Sequence, residues 1–175
     1  HSMAGSGKVR FVMLGAGDPY LKESLRVVAS KYPDAIDVVI GFDEVLAHLI
    51  QAAADILLMP SQYEPCGLAQ LYAFRYGTIP VARATGGLVD TVVDVSDQTC
   101  ADGTASGFVF EDFKSASLED AVQRALAAHG NKKLWQDLVY RVMQQDWSWK
   151  VSAQQYQEVY ERALANAPVD VVDVR

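Results

Sequence analysis

The stretch Ile56 to Ala82 reads ILLMPSQYEPCGLAQLYAFRYGTIPVA. It holds an apolar strand, a loop carrying one carboxylate, a helix and a second apolar strand. Ile56–Met59 is closed by Pro60. Gly67–Tyr76 has helical spacing and stops at Gly77, placed where a left-handed C-terminal cap belongs. Ile79–Ala82 is then another strand, and two apolar strands joined through a helix form a parallel β-α-β unit.

Working outward, the same alternation repeats. Val9–Leu14 is an apolar run stopped by Gly15-Ala16-Gly17-Asp18-Pro19, with a helix predicted over Tyr20–Tyr32 from Leu21, Leu25, Val28 and Ala29. Ile36–Ile40 is a strand ended by Gly41, and a helix follows over Asp43–Ala54 with Asp43 as N-cap. Gly107–Phe110 begins a fifth strand. From Ser117 the pattern becomes helical three times over: a stripe from Leu118 to Leu126 after Ser117 and Asp120, a second at Leu134, Leu138 and Val142, and a third from Trp149 to Ala163. The fold class is therefore α/β, a doubly wound Rossmann-like parallel sheet buried on both faces, with a C-terminal helical segment. Residues 1–7 read as a tag remnant or disordered lead, 8–167 as a single domain, and 168–175, with alternating Val and Asp, as a tail.

Composition narrows the function. Among 175 residues, 15 Lys and Arg face 22 Asp and Glu, a formal charge of −7, and half the chain is hydrophobic. That balance excludes intrinsic disorder and argues against nucleic-acid binding through bulk positive charge. Apolar runs are strand-length, so no membrane span is expected. Cys66 and Cys100 suggest neither a disulfide framework nor a metal site, and with no visible signal peptide we expect a reducing compartment.

Several motifs fail on context. Gly5-Ser6-Gly7-Lys8 precedes the first strand, whereas a phosphate loop follows one. Gly15-Ala16-Gly17 would need its third glycine at Tyr20, and Ile40 stands where a dinucleotide fold closes its second strand with an acid; a tight turn capped by Asp18 is the better reading. Cys66 with His48 as a nucleophile and base is outweighed by ordinary packing, and Trp147 and Trp149 read as packing anchors rather than a sugar platform. No Asp-x-Asp pair or His cluster offers a metal site.

The loop Pro60–Leu68 is different. It leaves the carboxyl end of a buried strand and enters a helix, where open α/β sheets bind ligands. Amides at Cys66, Gly67, Leu68 and Ala69, with the helix dipole, favour an anion such as a diphosphate, and Gly67 lets a ligand approach the backbone. Spacing alone leaves Glu64 open between a site carboxylate and one that merely complements the dipole. Thr85-Gly86-Gly87-Leu88 is a second glycine-rich turn after a strand, on the same rim.

Met59–Tyr72 resembles the signature of bacterial glycogen synthases and plant starch synthases. Tyr76–Pro80, Thr85–Val92, Gly41–Glu44 with Ala47-His48, and Gln145–Trp149 are similar to that family in the same register, so the resemblance covers residues 8 to about 165. It implies the carboxyl-terminal, donor-binding half of a retaining GT-B glucosyltransferase, which moves glucose from ADP-glucose to the non-reducing end of an α-1,4-glucan. The acceptor would be held by an amino-terminal domain absent from this chain. The family's Arg and Lys pair on the diphosphate would lie on a strand before this chain begins, so the fragment alone is expected to bind donor weakly and to be inactive. Residue by residue, Glu64 matches the carboxylate at the transferred glucose. Cys66, Gly67, Leu68 and Ala69 match sugar and phosphate contacts, and Phe42 matches a residue that stacks on adenine. Gly86 and Gly87 complete the expected donor site. Two departures stand out: Ala69 replaces a Thr or Asn, and Phe42 lacks the hydroxyl of a Tyr. No cofactor, metal, nucleic acid or membrane partner is implied, and the compartment would be bacterial cytoplasm or plastid stroma. A UDP-sugar-dependent relative and a non-catalytic nucleotide- or glucan-binding module are the alternatives. The last helix commonly crosses to the other half in such enzymes, which would leave Tyr156 and Tyr160 exposed here.

Overall fold

A computed structural model describes residues 9–166. The lead 1–7, the rejected phosphate-loop stretch Gly5–Lys8 and the tail 168–175 lie outside the described residues.

The first strands and helices alternate: β1 (Phe11–Gly15), α1 (Pro19–Lys31), β2 (Ile36–Ile40), α2 (Glu44–Ala53), β3 (Ile56–Met59), α3 (Leu68–Tyr76) and β4 (Ile79–Arg83). Two short helices, α4 (Leu88–Thr91) and α5 (Asp97–Ala101), precede β5 (Phe108–Phe110), and α6 (Ser115–Gly130), α7 (Lys132–Gln144) and α8 (Trp149–Ala165) finish the order. Local chemistry sets the boundaries. The Asp18 carboxylate accepts from the amides of Tyr20 and Leu21, and that of Asp43 from Leu46, so both predicted caps form. Gly77 adopts φ 79°, ψ 15° and sends its amide back to Ala73 and Phe74, the left-handed cap expected of it.

Every ladder is parallel. The strands form two ladders, β1 with β2 and β3-β4-β5, rather than the one continuous sheet expected. Among the described residues no strand pairs with the free edges of β1 and β3.

Burial follows this division. The core lies around β4, which is buried along most of its length, and gathers Phe74, Ile79, Val81, Leu88, Phe108, Leu138 and Val142 from α3, β5, α4 and α7, with Ala121 and Ala125 from α6. By contrast α1 and α2 bury no residue, and Val12 of β1 and Val39 of β2 are exposed. Burial on both faces therefore holds for the second ladder and not for the first.

One sequence reading of a helix start changes, and one helix is added. Ser117 is not a cap: α6 begins at Ser115 after Lys114, and Asp120 instead pairs with Arg124 one turn on at 3.5 Å. The stretch before β5 contains α5, fixed by a reciprocal Ser96–Thr99 capping box. At its end the hydroxyl and amide of Thr104 donate to Asp102, which holds that exposed carboxyl below the usual range.

The chain divides into two compact units between Met143 and Gln144. In the second, α8 buries no residue, and Tyr156 and Tyr160 are exposed with ring centroids 6.3 Å apart. Trp149 is 83% exposed, which overturns its reading as a packing anchor. Trp147 is partly exposed, with its indole N–H on Gln145.

Candidate active site

The carboxyl ends of β3 and β4 feed two loops, residues 60–67 and 84–87, and these meet at Glu64. Pro60 ends the third strand, and the chain turns through Ser61 to reach a half-buried Glu64. One carboxylate oxygen, Oε2, accepts from the Ser61 hydroxyl at 3.3 Å, and the other, Oε1, from the Gly67 amide at 3.2 Å. The Glu64 carbonyl accepts from the Gly87 amide at 2.9 Å. Side chain and backbone of one residue are thus tied to both loops.

Glycines make this approach possible. Gly86 has φ 51°, and a Cβ there would stand 1.9 Å from the Glu64 carbonyl oxygen. A Cβ on Gly87 would stand 2.7 Å from the Cys66 carbonyl oxygen. Gly67 has φ 70° and is buried, so its role differs from the open approach expected: a Cβ would meet the Gln70 amide oxygen at 2.5 Å. The amide expected to greet a ligand at Gly67 is likewise taken by Glu64. The helix starts at Leu68, and among the described residues no hydrogen bond leaves the amides of Leu68 and Ala69. Their first-turn position and the dipole favour an anion by about 0.3–1 kcal/mol.

The structure brings together Glu64, Cys66, Gly67, Gly86 and Gly87, with Leu68 and Ala69 on the adjoining turn. Phe42 sits apart, 92% exposed between β2 and α2, and no hydrogen bond or ring contact joins it to the Glu64 loop among the described residues. The helix that follows it, α2, packs on the site helix α3. His48 of α2 shares a 3.2 Å hydrogen bond with the Tyr76 hydroxyl of α3 and lies 5.4 Å from the Tyr72 ring, so it faces tyrosines rather than Cys66.

Three supporting residues escaped sequence reading. Gln70, on the first turn of α3, is fully buried and donates to Thr91 at 2.9 Å, and Thr91 donates to the Gly87 carbonyl at 2.9 Å. The Gln70 amide oxygen has no partner among the described residues, which costs about 1–3 kcal/mol for a buried acceptor. Arg83, at the end of β4, donates to the carbonyls of Ser61, Gln62 and Glu111 and lies 5.4 Å from the Phe113 ring centroid. It fastens the start of the Glu64 loop to the far side of the sheet. A cation closing a buried strand was the one available signal for it.

A carboxylate and two loops with free helix-start amides and adjacent glycines at the rim of a parallel sheet suit a sugar joined to a phosphate. Residues 5–141 match the family described as glycosyl transferases group 1. The chain belongs to that family. Its fold is that of GT-B glycosyltransferases. The catalytic domain of starch synthase IV from Arabidopsis thaliana, solved bound to ADP and acarbose, is 36% identical with a TM-score of 0.80; the alignment covers 91% of this chain and 33% of that one. Sucrose-phosphate synthase from Thermosynechococcus elongatus is 25% identical with a TM-score of 0.62, over 95% of this chain and 41% of that one. WaaG, a glycosyltransferase involved in lipopolysaccharide biosynthesis, shares the fold at 21% identity and a TM-score of 0.53, over 78% of this chain and 34% of that one. This glycosyltransferase chain therefore spans about a third of the starch synthase IV chain. Among its described residues no helix is long and apolar enough to cross a membrane.

Proposed function

We propose that the chain is the donor-binding half of an ADP-glucose-dependent α-1,4-glucan synthase that retains the configuration of the transferred glucose. The observation that carries this reading is Glu64, half-buried on the ligand rim, whose carboxylate is held within its own loop by Ser61 and Gly67 and whose backbone carbonyl is held by Gly87 of the second loop. The 36% identity to a starch synthase solved with ADP and acarbose supports the same ligand class.

In this reading the diphosphate rests at the start of α3, against the amides of Leu68 and Ala69 and beside the Gly86–Gly87 turn. The glucose lies over Glu64. As the bond from its C1 to the phosphate oxygen breaks, the electron pair leaves with ADP and positive charge grows on the sugar ring. A fixed carboxylate stabilises that charge without reorganising, because Ser61 and Gly67 already hold it. The acceptor hydroxyl attacks C1 from the face that the diphosphate leaves, and its proton passes to the departing phosphate oxygen. Phe42, almost wholly exposed, offers its ring to the adenine. Base-on-aromatic stacking is worth about 1–3 kcal/mol, so Phe42→Ala is expected to weaken ADP binding by about tenfold in a calorimetric titration. Unchanged affinity would remove Phe42 from the site.

Activity assays test the reading directly. The complete enzyme should elongate maltooligosaccharides from ADP-glucose and prefer it to UDP-glucose. The 175-residue chain alone should transfer no glucose, since the acceptor half lies outside it. A preference for UDP-glucose would replace the donor named here, and elongation by the isolated chain would refute the half-site reading.

A further inference from the structure

Among the described residues the buried polar side chains of the core are Gln70, Thr78 and Ser106. Two of them serve nearby backbone: Thr78 donates to the carbonyls of Gln51 and Ala54, and Ser106 accepts from the Val93 amide. Gln70 does something else. Its amide nitrogen reaches Thr91, Thr91 reaches the Gly87 carbonyl, the Gly87 amide reaches the Glu64 carbonyl, and the Glu64 carboxylate returns to the Gly67 amide. Gly67 closes the ring by lying directly over the Gln70 side chain, where a Cβ would stand 2.5 Å from its oxygen. The circuit runs from one ligand loop to the other and back through a fully buried amide.

An apolar side chain of the same length would fill this space without leaving an acceptor unpaired. The glutamine carries that penalty, and what it supplies in exchange is the donor to Thr91. We infer that Gln70 and Thr91 form a positioning pair that sets the Gly86–Gly87 loop against Glu64, so that carboxylate and diphosphate loop meet the donor as one unit. The inference rests on the reading of Glu64 given above. Neither residue touches the reacting atoms: Gln70 is buried, and its action passes through Gly67, Thr91 and Gly87.

The test separates function from folding. In the complete enzyme, Gln70→Met removes the donor and the unpaired acceptor together, and Thr91→Val removes the relay hydroxyl. Each should lower kcat at least about tenfold, while the melting temperature stays within about 3 °C and KM for the glucan acceptor stays within about threefold. Thr91→Ser keeps the hydroxyl and should restore most of kcat. The double variant should be little worse than either single one, because both break the same circuit. Glu64→Gln serves as the control. Wild-type kcat in Gln70→Met and Thr91→Val beside an inactive Glu64→Gln overturns the positioning pair alone. Loss of kcat that tracks loss of melting temperature, with no rescue by serine, also overturns it. An active Glu64→Gln removes the reading of Glu64, and the positioning role falls with it.

Discussion

Glu64→Gln in the complete enzyme is expected to lower kcat at least about a hundredfold, the order found when one preorganised electrostatic group is removed from a transition state. The substitution is nearly isosteric, and the surroundings can absorb it. The remaining amide oxygen accepts from Gly67, and the new amino group donates to the Ser61 hydroxyl, which now accepts. The loop keeps its shape and the charge alone is lost. The melting temperature should therefore move by no more than about 2 °C, while steady-state transfer from ADP-glucose collapses. Transfer at the wild-type rate would show that the carboxylate only complements the start of α3.

Gly86→Ala is expected to produce the largest loss of stability from one methyl group. Gly86 is exposed, and substitutions at exposed positions usually change stability by no more than about 0.5 kcal/mol. Here the added carbon would lie 1.9 Å from the Glu64 carbonyl oxygen, a backbone atom that the Gly87 amide holds in place. The left-handed φ of 51° adds a penalty of about 1–2 kcal/mol for any residue with a Cβ, and overpacking adds about 1–3 kcal/mol. Together these lower the melting temperature of the chain by about 4–20 °C, at about 2–4 °C per kcal/mol. Gly103→Ala is the matched control: φ is 80° there, and nothing lies within 4 Å of the added carbon. It should show the backbone penalty alone. Equal melting temperatures for the two variants, read by circular dichroism, would mean that the loops do not meet as described.

The features legible in the sequence were those written in neighbouring residues. The runs Ile36–Ile40 and Ile56–Met59 gave both strands without adjustment, because an apolar run stopped by glycine or proline has local limits. Gly77 marked the end of α3, because a left-handed cap requires the residue type itself. Glu64 and the Gly86–Gly87 turn were legible as a rim, since strand ends in a parallel sheet share one edge. What escaped depends on partners far along the chain. Gln70 looks like a polar position on an amphipathic helix, and only Thr91, 21 residues away, accounts for its burial. The Ser96–Thr99 box carries Thr where Glu or Gln is the familiar partner, so α5 went unseen. Gly67 reads as a point of ligand approach because the sequence cannot show that its own carboxylate neighbour occupies its amide. The division of the sheet into two ladders was hidden for a similar reason: ladder partners are set by chain order in space, and five apolar runs look alike whether or not β1 meets β3.

The most direct test is a titration of the ¹⁵N-labelled 175-residue chain with ADP-glucose and, separately, with UDP-glucose, followed by amide resonances. The account predicts saturating shifts with ADP-glucose at Cys66, Leu68, Ala69, Gly86 and Gly87, with Phe42 moving too, and a much weaker response to UDP-glucose. Saturating shifts confined to other surfaces, or equal movement of the same amides with both ligands, would contradict it.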